Sequence, residues 1–181
     1  MAQSLNQSDL ERRMNGMISF GTIHCVDYNQ AKACVKIGEI TTNYLPMIAS
    51  RAGHNQSWSP YEIGEQVMIL SPSGEIDQGW IMGSVFSNHH PANGDNPDIH
   101  RMNYKDGAIL EYDRAAHHLK AQLPAGGKLT IIGDVDVAGS ITASGDITDH
   151  TRSMAGDRAI YNNHTHTGNL GAPTSITGAS Q

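Results

Sequence analysis

A glycine repeat with a period of six residues constrains the fold of this chain more than any other feature. Residues 127–150 read GKLTII GDVDVA GSITAS GDITDH, and every unit begins with glycine. From 127 to 147 each odd position is apolar or glycine, whereas most even positions are Lys, Asp, Ser or Thr. Because six is a multiple of two, the alternation of side chains along a strand stays in phase from unit to unit. The pattern therefore predicts a repetitive β structure.

Such a strand cannot enclose a core by itself, because its apolar face is only one residue wide. Three copies wrapped around a common axis would bury all three faces together, and the glycines would let the chains approach closely. We therefore expect residues 104–150 to form a homotrimeric, triple-stranded β-helix. Two ordinary hairpins of a continuing β domain are the alternative. The axial core of the trimer would consist of Leu129, Val135, Val137, Ile141 and Ile147.

Two histidines follow the repeat, His164 and His166, and the stretch 159–181 around them contains no Lys, Arg, Asp or Glu. Side chains at positions i and i+2 of an extended chain project to the same side, and neutral imidazoles are good ligands for transition metals. Two ligands make a weak site in one chain. Three copies would supply six nitrogens, which closes the coordination shell and favours a structural metal ion over a reactive one. A solvated histidine pair is the alternative.

Nothing in the sequence has the form of an enzymatic centre. It contains no G-x-S-x-G, H-E-x-x-H, P-loop or C-x-x-C motif, so we expect no catalytic activity. The rival hypothesis is a metalloenzyme that adds His150 to the histidine pair. Three aspartates on the outward face of the repeat are expected to be solvated, although they leave room for an additional cation or anion near the apex. They are Asp134, Asp136 and Asp146.

The N-terminal half has the pattern of a small β barrel. Residues 1–16 predict a short helix or arm, with Ser8 as its N-cap and Gly16 at its end. Residues 17–86 contain about five short strand patterns, and the OB-fold is the commonest architecture with that number of strands.

Beyond the barrel the sequence predicts three further segments. Residues 87–103 are rich in Pro, Asn, Asp and His, which is typical of a linker. The shaft then begins with a hairpin that turns near Asp113 and Arg114. Residues 151–181 form the apex, and we expect the neutral tail after the histidines to fold back there.

Charge and hydropathy limit the partners of the chain. The net charge is −6, and clustered Lys and Arg are what bind a phosphate backbone, so we expect no nucleic-acid partner. There is no apolar run long enough for a membrane span or a signal peptide. We therefore expect a soluble protein made in the cytoplasm. In that compartment Cys25 and Cys34 would stay reduced, although a turn near Asn29 and Gln30 would let them face each other.

One string carries a resemblance to a known family. Residues 64–79, GEQVMILSPSGEIDQG, and more broadly residues 38–85, resemble the OB-fold domain of the phage baseplate assembly protein V family. Members of this family are the central spikes of contractile-tailed phages. The later order of a glycine repeat and then RAIYNNHTHTG, residues 158–168, is also similar. The resemblance covers the chain from about residue 17 to residue 168.

The resemblance implies an all-β homotrimer, in which an N-terminal OB-fold barrel binds the baseplate hub and is followed by an intertwined β-helix. At the apex, His164 and His166 of three chains would hold one iron ion per trimer through six nitrogens. The implied function is non-enzymatic: mechanical puncture of the host outer membrane when the tail sheath contracts. The protein would be located in the tail baseplate of the virion and would act at the host outer membrane and periplasm.

Three alternatives remain open at this point. The chain could be the spike of a related contractile secretion or tailocin apparatus. It could be a metal-dependent hydrolase that uses the C-terminal histidines. It could also be a β protein that binds carbohydrate or nucleic acid through aromatic side chains of the barrel, such as Trp58, Tyr61 or Trp80.

Overall fold

A computed structural model describes residues 7–176. The chain divides between Gly127 and Lys128 into two compact units. The first unit contains helix α1 (Gln7–Gly16) and two antiparallel sheets, and the second contains helix α2 (Met154–Asn163). The fold is therefore predominantly β, as the sequence predicts, but helix α2 was not anticipated. Within the described residues no helix is long and apolar enough to cross a membrane.

The larger sheet forms an OB-type barrel. Its strand order is β3-β2-β1-β5-β6, and β4 also pairs with β2. The barrel closes beyond β4, where Met47 bridges to Ile81 in parallel and the Ile48 N–H donates to the Ile81 carbonyl at 3.1 Å. The strands are β1 (Ile18–Asp27), β2 (Lys32–Ile37), β3 (Ile40–Thr41), β4 (Leu45–Pro46), β5 (Gln66–Leu70) and β6 (Trp80–Ser84).

Alternation of side chains places one face of the longer strands in the barrel core. Strand β5 shows this most clearly, because Val67 and Ile69 are fully buried while the residues on either side of them are partly exposed. The predicted strand 66–70 is confirmed. The buried core consists of Ile23, Ala33, Val35, Leu45, Val67, Ile69 and Ile81.

The β1–β2 hairpin corrects one expectation. The loop between the strands is centred where the sequence predicts, and the Asp27 carboxylate accepts the Asn29 and Gln30 N–H groups at 3.0 and 3.2 Å. Cys25 and Cys34, expected to be reduced, are joined in a disulfide. The antiparallel register places the two residues directly opposite each other, with a Cα–Cα distance of 5.1 Å. That separation is within the range that a disulfide requires.

The smaller sheet consists of β7 (Ile99–Asn103), β8 (Ile109–Asp113) and β9 (His118–Gln122), paired in that order. The β8–β9 hairpin and its turn are where the sequence predicts them. Strand β7 lies inside the segment predicted as a linker. The sequence did not predict this strand because its short alternating pattern follows a stretch rich in turn residues. One face of the sheet carries the ion pair between Arg101 and Glu111. The opposite face is mostly apolar and exposed; it carries Met102, Leu110, Tyr112 and Leu119 beside His100 and Ala121.

Helix α1 is attached to the barrel at one loop. Arg12 forms an ion pair with Glu75 at 2.9 Å, and Gly16 approaches the loop so closely that a Cβ there would lie 2.4 Å from the Gly74 carbonyl oxygen. The helix ends at Gly16, as the sequence predicts. The N-cap prediction is wrong, because the helix already includes Gln7 and so places Ser8 inside its first turn.

The second unit is organised differently. The glycine repeat, residues 127–147, contains no strand, and no residue of 128–176 is buried. Among the described residues, no backbone–backbone hydrogen bond involves residues 128–145. The β-helix therefore remains a prediction. The exposed apolar side chains of the repeat are Leu129, Ile131, Ile132, Val135, Val137, Ile141 and Ile147.

Candidate functional site: the histidine pair after helix α2

Helix α2 begins in a tightly hydrogen-bonded turn. The Ser153 side chain caps the helix by accepting the Gly156 N–H at 3.0 Å. The Asp146 carboxylate accepts the Ala155 N–H at 3.2 Å. A hydrogen bond from Ser153, aided by the Ala155 and Ile147 N–H groups, lowers the pKa of Asp146 below its ordinary value. Anionic groups near a helix N-terminus are stabilised by the free N–H groups there, so the start of α2 is well defined.

The end of the same helix positions the first histidine. Helix α2 ends at Asn163, and His164 follows as its C-cap with φ −70° and ψ 148°. The chain therefore becomes extended at His164. Its ring turns back toward the helix, where Nδ1 lies 2.5 Å from the Tyr161 carbonyl oxygen. The centres of the Tyr161 and His164 rings are 5.4 Å apart.

The second histidine is held by the residues that follow it. The His166 N–H donates to the Thr174 hydroxyl at 2.9 Å, and the Thr174 N–H donates to the His166 carbonyl at 2.7 Å. Between them the chain reverses through a turn in which the Gly168 N–H bonds to the Ala172 carbonyl. The tail thus folds back as far as residue 176, and residues 177–181 lie outside the described part.

The two histidine rings are close neighbours in the folded chain. Their centres are 5.0 Å apart and their planes are inclined by 85°. Neutral imidazole is a suitable ligand for iron as well as for zinc, copper and nickel. The donor set therefore fits a transition metal, with His164 and His166 as the residues that would hold it.

One chain does not complete such a site. Among residues 7–176, no group of three or more His, Cys, Asp or Glu side chains is close enough to share a metal ion. The metalloenzyme hypothesis required His150 to lie close to the histidine pair, and the fold does not bring it there. The eight other histidines are all exposed, as are Asp134 and Asp136.

The aromatic residues of the barrel do not form one surface. Trp58 and Tyr61 line an open groove of about 580 Å³ beside Met47 and Met82. Partial burial of the Tyr61 hydroxyl and the nearby Glu65 carboxylate raise the pKa of Tyr61. Trp80, which the binding-protein alternative grouped with them, does not line this groove.

Residues 20–86 match the family described as the type VI secretion system/phage-baseplate injector OB domain. The chain therefore contains an OB domain of this injector family. The resemblance seen in the sequence is thereby confirmed.

One relative extends the similarity beyond the barrel. The chain is 32% identical over 143 residues to the spike protein of Escherichia phage P2. The similar region covers 79% of this chain and 62% of the relative. The chain therefore spans less than two thirds of the length of the relative that it matches.

The structure adds residues that the sequence did not single out. The Tyr161 carbonyl and the Thr174 side chain hold the two histidines, yet neither belongs to the H-x-H motif. A signal for the first was available, since histidine near the end of a helix often bonds to a free carbonyl. No comparable pattern marks Thr174, because its role depends on the reversal of the chain.

Proposed function

We propose that this protein is the central spike of a contractile phage tail baseplate. It acts as a homotrimer without enzymatic activity, and it punctures the host outer membrane when the sheath contracts. One observation carries the proposal. Every residue of 128–176 is at least partly exposed, although the repeat is apolar at alternate positions.

The exposed repeat supports assembly with further copies. Leu129 is 73% exposed and Ile141 is 70% exposed in the single chain. Burying one such side chain contributes about 1.5–3 kcal/mol. The unpaired backbone groups of residues 128–145 also need partners wherever water is excluded. Neighbouring copies of the same segment would supply both the apolar contacts and the hydrogen bonds.

The smaller sheet supports the same assembly. Its exposed apolar face, defined above by Met102, Leu110, Tyr112 and Leu119, has no partner within the described chain. Pairs of apolar residues lie directly opposite each other across its strands, such as Tyr112 and Leu119. A contiguous apolar face of this kind is typical of an interaction surface.

Three-fold assembly would complete the metal site. Two imidazoles from each of three chains would supply six nitrogens to one iron ion, with His164 and His166 as ligands. A bound iron would supply a rigid link between the three chain ends rather than reactive chemistry. Because no position would remain for water or substrate, the site is structural.

The tip is suited to entering a membrane. The described part of the tail, residues 159–176, contains no Lys, Arg, Asp or Glu. A charged side chain in the hydrocarbon layer costs about 2.5 kcal/mol or more, so a neutral point lowers the barrier to insertion. The protein would be located in the tail baseplate after synthesis in the host cytoplasm, and its OB domain would bind the hub.

Two other functions have less support. The family of the OB domain includes type VI secretion injectors as well as phage baseplates, so a spike of a related secretion or tailocin apparatus is the second candidate. A metal-dependent hydrolase is weaker, because within the described residues one chain brings only two metal-ligating side chains together at this site.

Native mass measured together with elemental analysis tests the proposal. We expect a trimer with one iron ion per three chains, and loss of the iron in the double variant His164→Ala/His166→Ala while the trimer persists. The pair His117→Ala/His118→Ala is the matched control, since these histidines lie in the first unit and should not affect metal content. A monomer in solution, or one metal ion per chain, would contradict the spike.

A further inference from the structure

The two nitrogens of the His164 ring are in different environments. Nδ1 is within hydrogen-bond distance of the Tyr161 carbonyl oxygen. A carbonyl oxygen only accepts hydrogen bonds, so the proton must be on Nδ1. In a neutral imidazole the other nitrogen, Nε2, then carries a free lone pair.

This contact follows from the end of helix α2. The last four carbonyls of a helix have no partner within it, and Tyr161 lies in that last turn. His164 is the first residue beyond the helix and has extended backbone angles, which allow its ring to reach back by three positions. The helix end therefore selects one tautomer of the histidine.

From this geometry we infer that His164 binds the metal through Nε2, and that the Tyr161 carbonyl is the positioning group that keeps Nδ1 protonated. Groups that hold the second nitrogen of a ligating histidine fix both its tautomer and the orientation of its ring. The inference rests on the proposed function for the presence of the metal, but it concerns which atom of this chain binds it.

The second ligand is positioned by its backbone instead. Thr174 accepts from the His166 N–H and donates to the His166 carbonyl. The hydroxyl of Thr174 is thus a positioning group for His166, located eight residues beyond it. Both positioning groups are outside the H-x-H motif.

Nuclear magnetic resonance of the ring nitrogens tests the His164 assignment. The trimer is labelled with ¹⁵N-histidine, and its metal is replaced by ¹¹³Cd, which is diamagnetic and couples to the nitrogen that binds it. We expect coupling to Nε2 of His164 and a proton on Nδ1. Coupling to Nδ1 would overturn the inference. His54, which is exposed, is the internal control and should show no coupling.

A pair of variants tests the second positioning group. Thr174→Val removes the hydroxyl but keeps the shape of the side chain, and Thr174→Ser keeps the hydroxyl. We expect metal affinity to fall about 10-fold or more in the valine variant and to be retained in the serine variant. Equal affinity in the two variants would overturn the role of Thr174.

Failure of the inference differs from failure of the proposed function. A trimer that holds cadmium through Nδ1 of His164 would overturn the ligand assignment and leave the spike intact. A chain that is monomeric by native mass, or that takes up no metal, would overturn the spike itself.

Discussion

Residues 17–86 and residues 128–176 use apolar side chains in opposite ways. In the barrel, side chains from five of the six strands meet in a common core, and seven of them are buried. In the second unit the alternation is at least as regular, yet no described residue is buried. A regular pattern is therefore no guarantee of a core within one chain.

The difference lies in how many strands each region can bring together. The barrel has six strands that pair with one another, so each apolar face finds another on the same chain. The repeat offers a single face and no return strand among the residues described. The barrel therefore has a core of its own, whereas the second unit leaves its apolar side chains exposed, as the proposed assembly requires.

The largest expected effect comes from placing a charge on the apolar face of the repeat. Ile141→Asp should abolish the trimer, because three buried carboxylates would lie close together without partners. Thr142→Asp is the matched control one position away, on the polar face, and should leave the trimer intact. Native mass distinguishes the two results. A trimer that tolerates Ile141→Asp would show that this face of the repeat is not buried between the three chains.

A core substitution in the barrel should act on the barrel alone. Ile69 is fully buried, so Ile69→Ala should lower the free energy of unfolding of the OB domain by about 2–5 kcal/mol. Leu129→Ala, which shortens an exposed side chain, should leave that unfolding transition unchanged. Denaturant unfolding followed by Trp fluorescence gives both values. Equal shifts would show that the two regions do not fold independently.

Buried hydroxyl groups in the barrel provide a smaller test. Ser71 is fully buried, and its hydroxyl has no hydrogen-bond partner among the described residues. Ser71→Ala should therefore stabilise the barrel slightly, by up to about 1 kcal/mol. The control is Thr42→Val, which should destabilise it, because the Thr42 hydroxyl accepts from the Val35 N–H at 3.0 Å. A loss of stability in Ser71→Ala would contradict the absence of a partner.

The smallest effect is expected at the start of helix α2. The folded chain lowers the pKa of Asp146 from its ordinary value of 3.8. Its stabilising contribution is therefore complete above that ordinary value and is lost as the pH falls through the lowered pKa.

Amide resonances of Ile147 and Ala155, whose N–H groups donate to Asp146, should report that loss. We expect them to shift in the wild-type chain as the pH falls below 3.8, the ordinary pKa of the carboxyl group. Asp146→Asn should remove this titration without changing the unfolding of the barrel. An unchanged titration in the variant would assign it to another group, such as Asp149.

Much of this protein follows from local sequence rules. The barrel strand 66–70, the β8–β9 hairpin and the end of helix α1 at Gly16 are all where the sequence predicts them. Each depends on neighbours in the chain: alternation of side chains, a turn sequence, or a glycine after a helix. The family could be recognised from residues 64–79 for the same reason, since that string is continuous.

Other features of this protein depend on contacts between residues that are distant in the chain, or on sequence patterns too weak to predict a structure. The disulfide depends on the register that sets Cys25 opposite Cys34, and strand β7 exists because it pairs with β8. Helix α2 has the largest effect on how the two histidines are oriented, because its last turn offers His164 a free carbonyl. Thr174, which the chain reversal brings close, holds the backbone of His166. The sequence determined which residues are the candidate metal ligands. Folding determined how their rings are held, because the hydrogen bond that orients the His164 ring comes from a carbonyl outside the H-x-H motif.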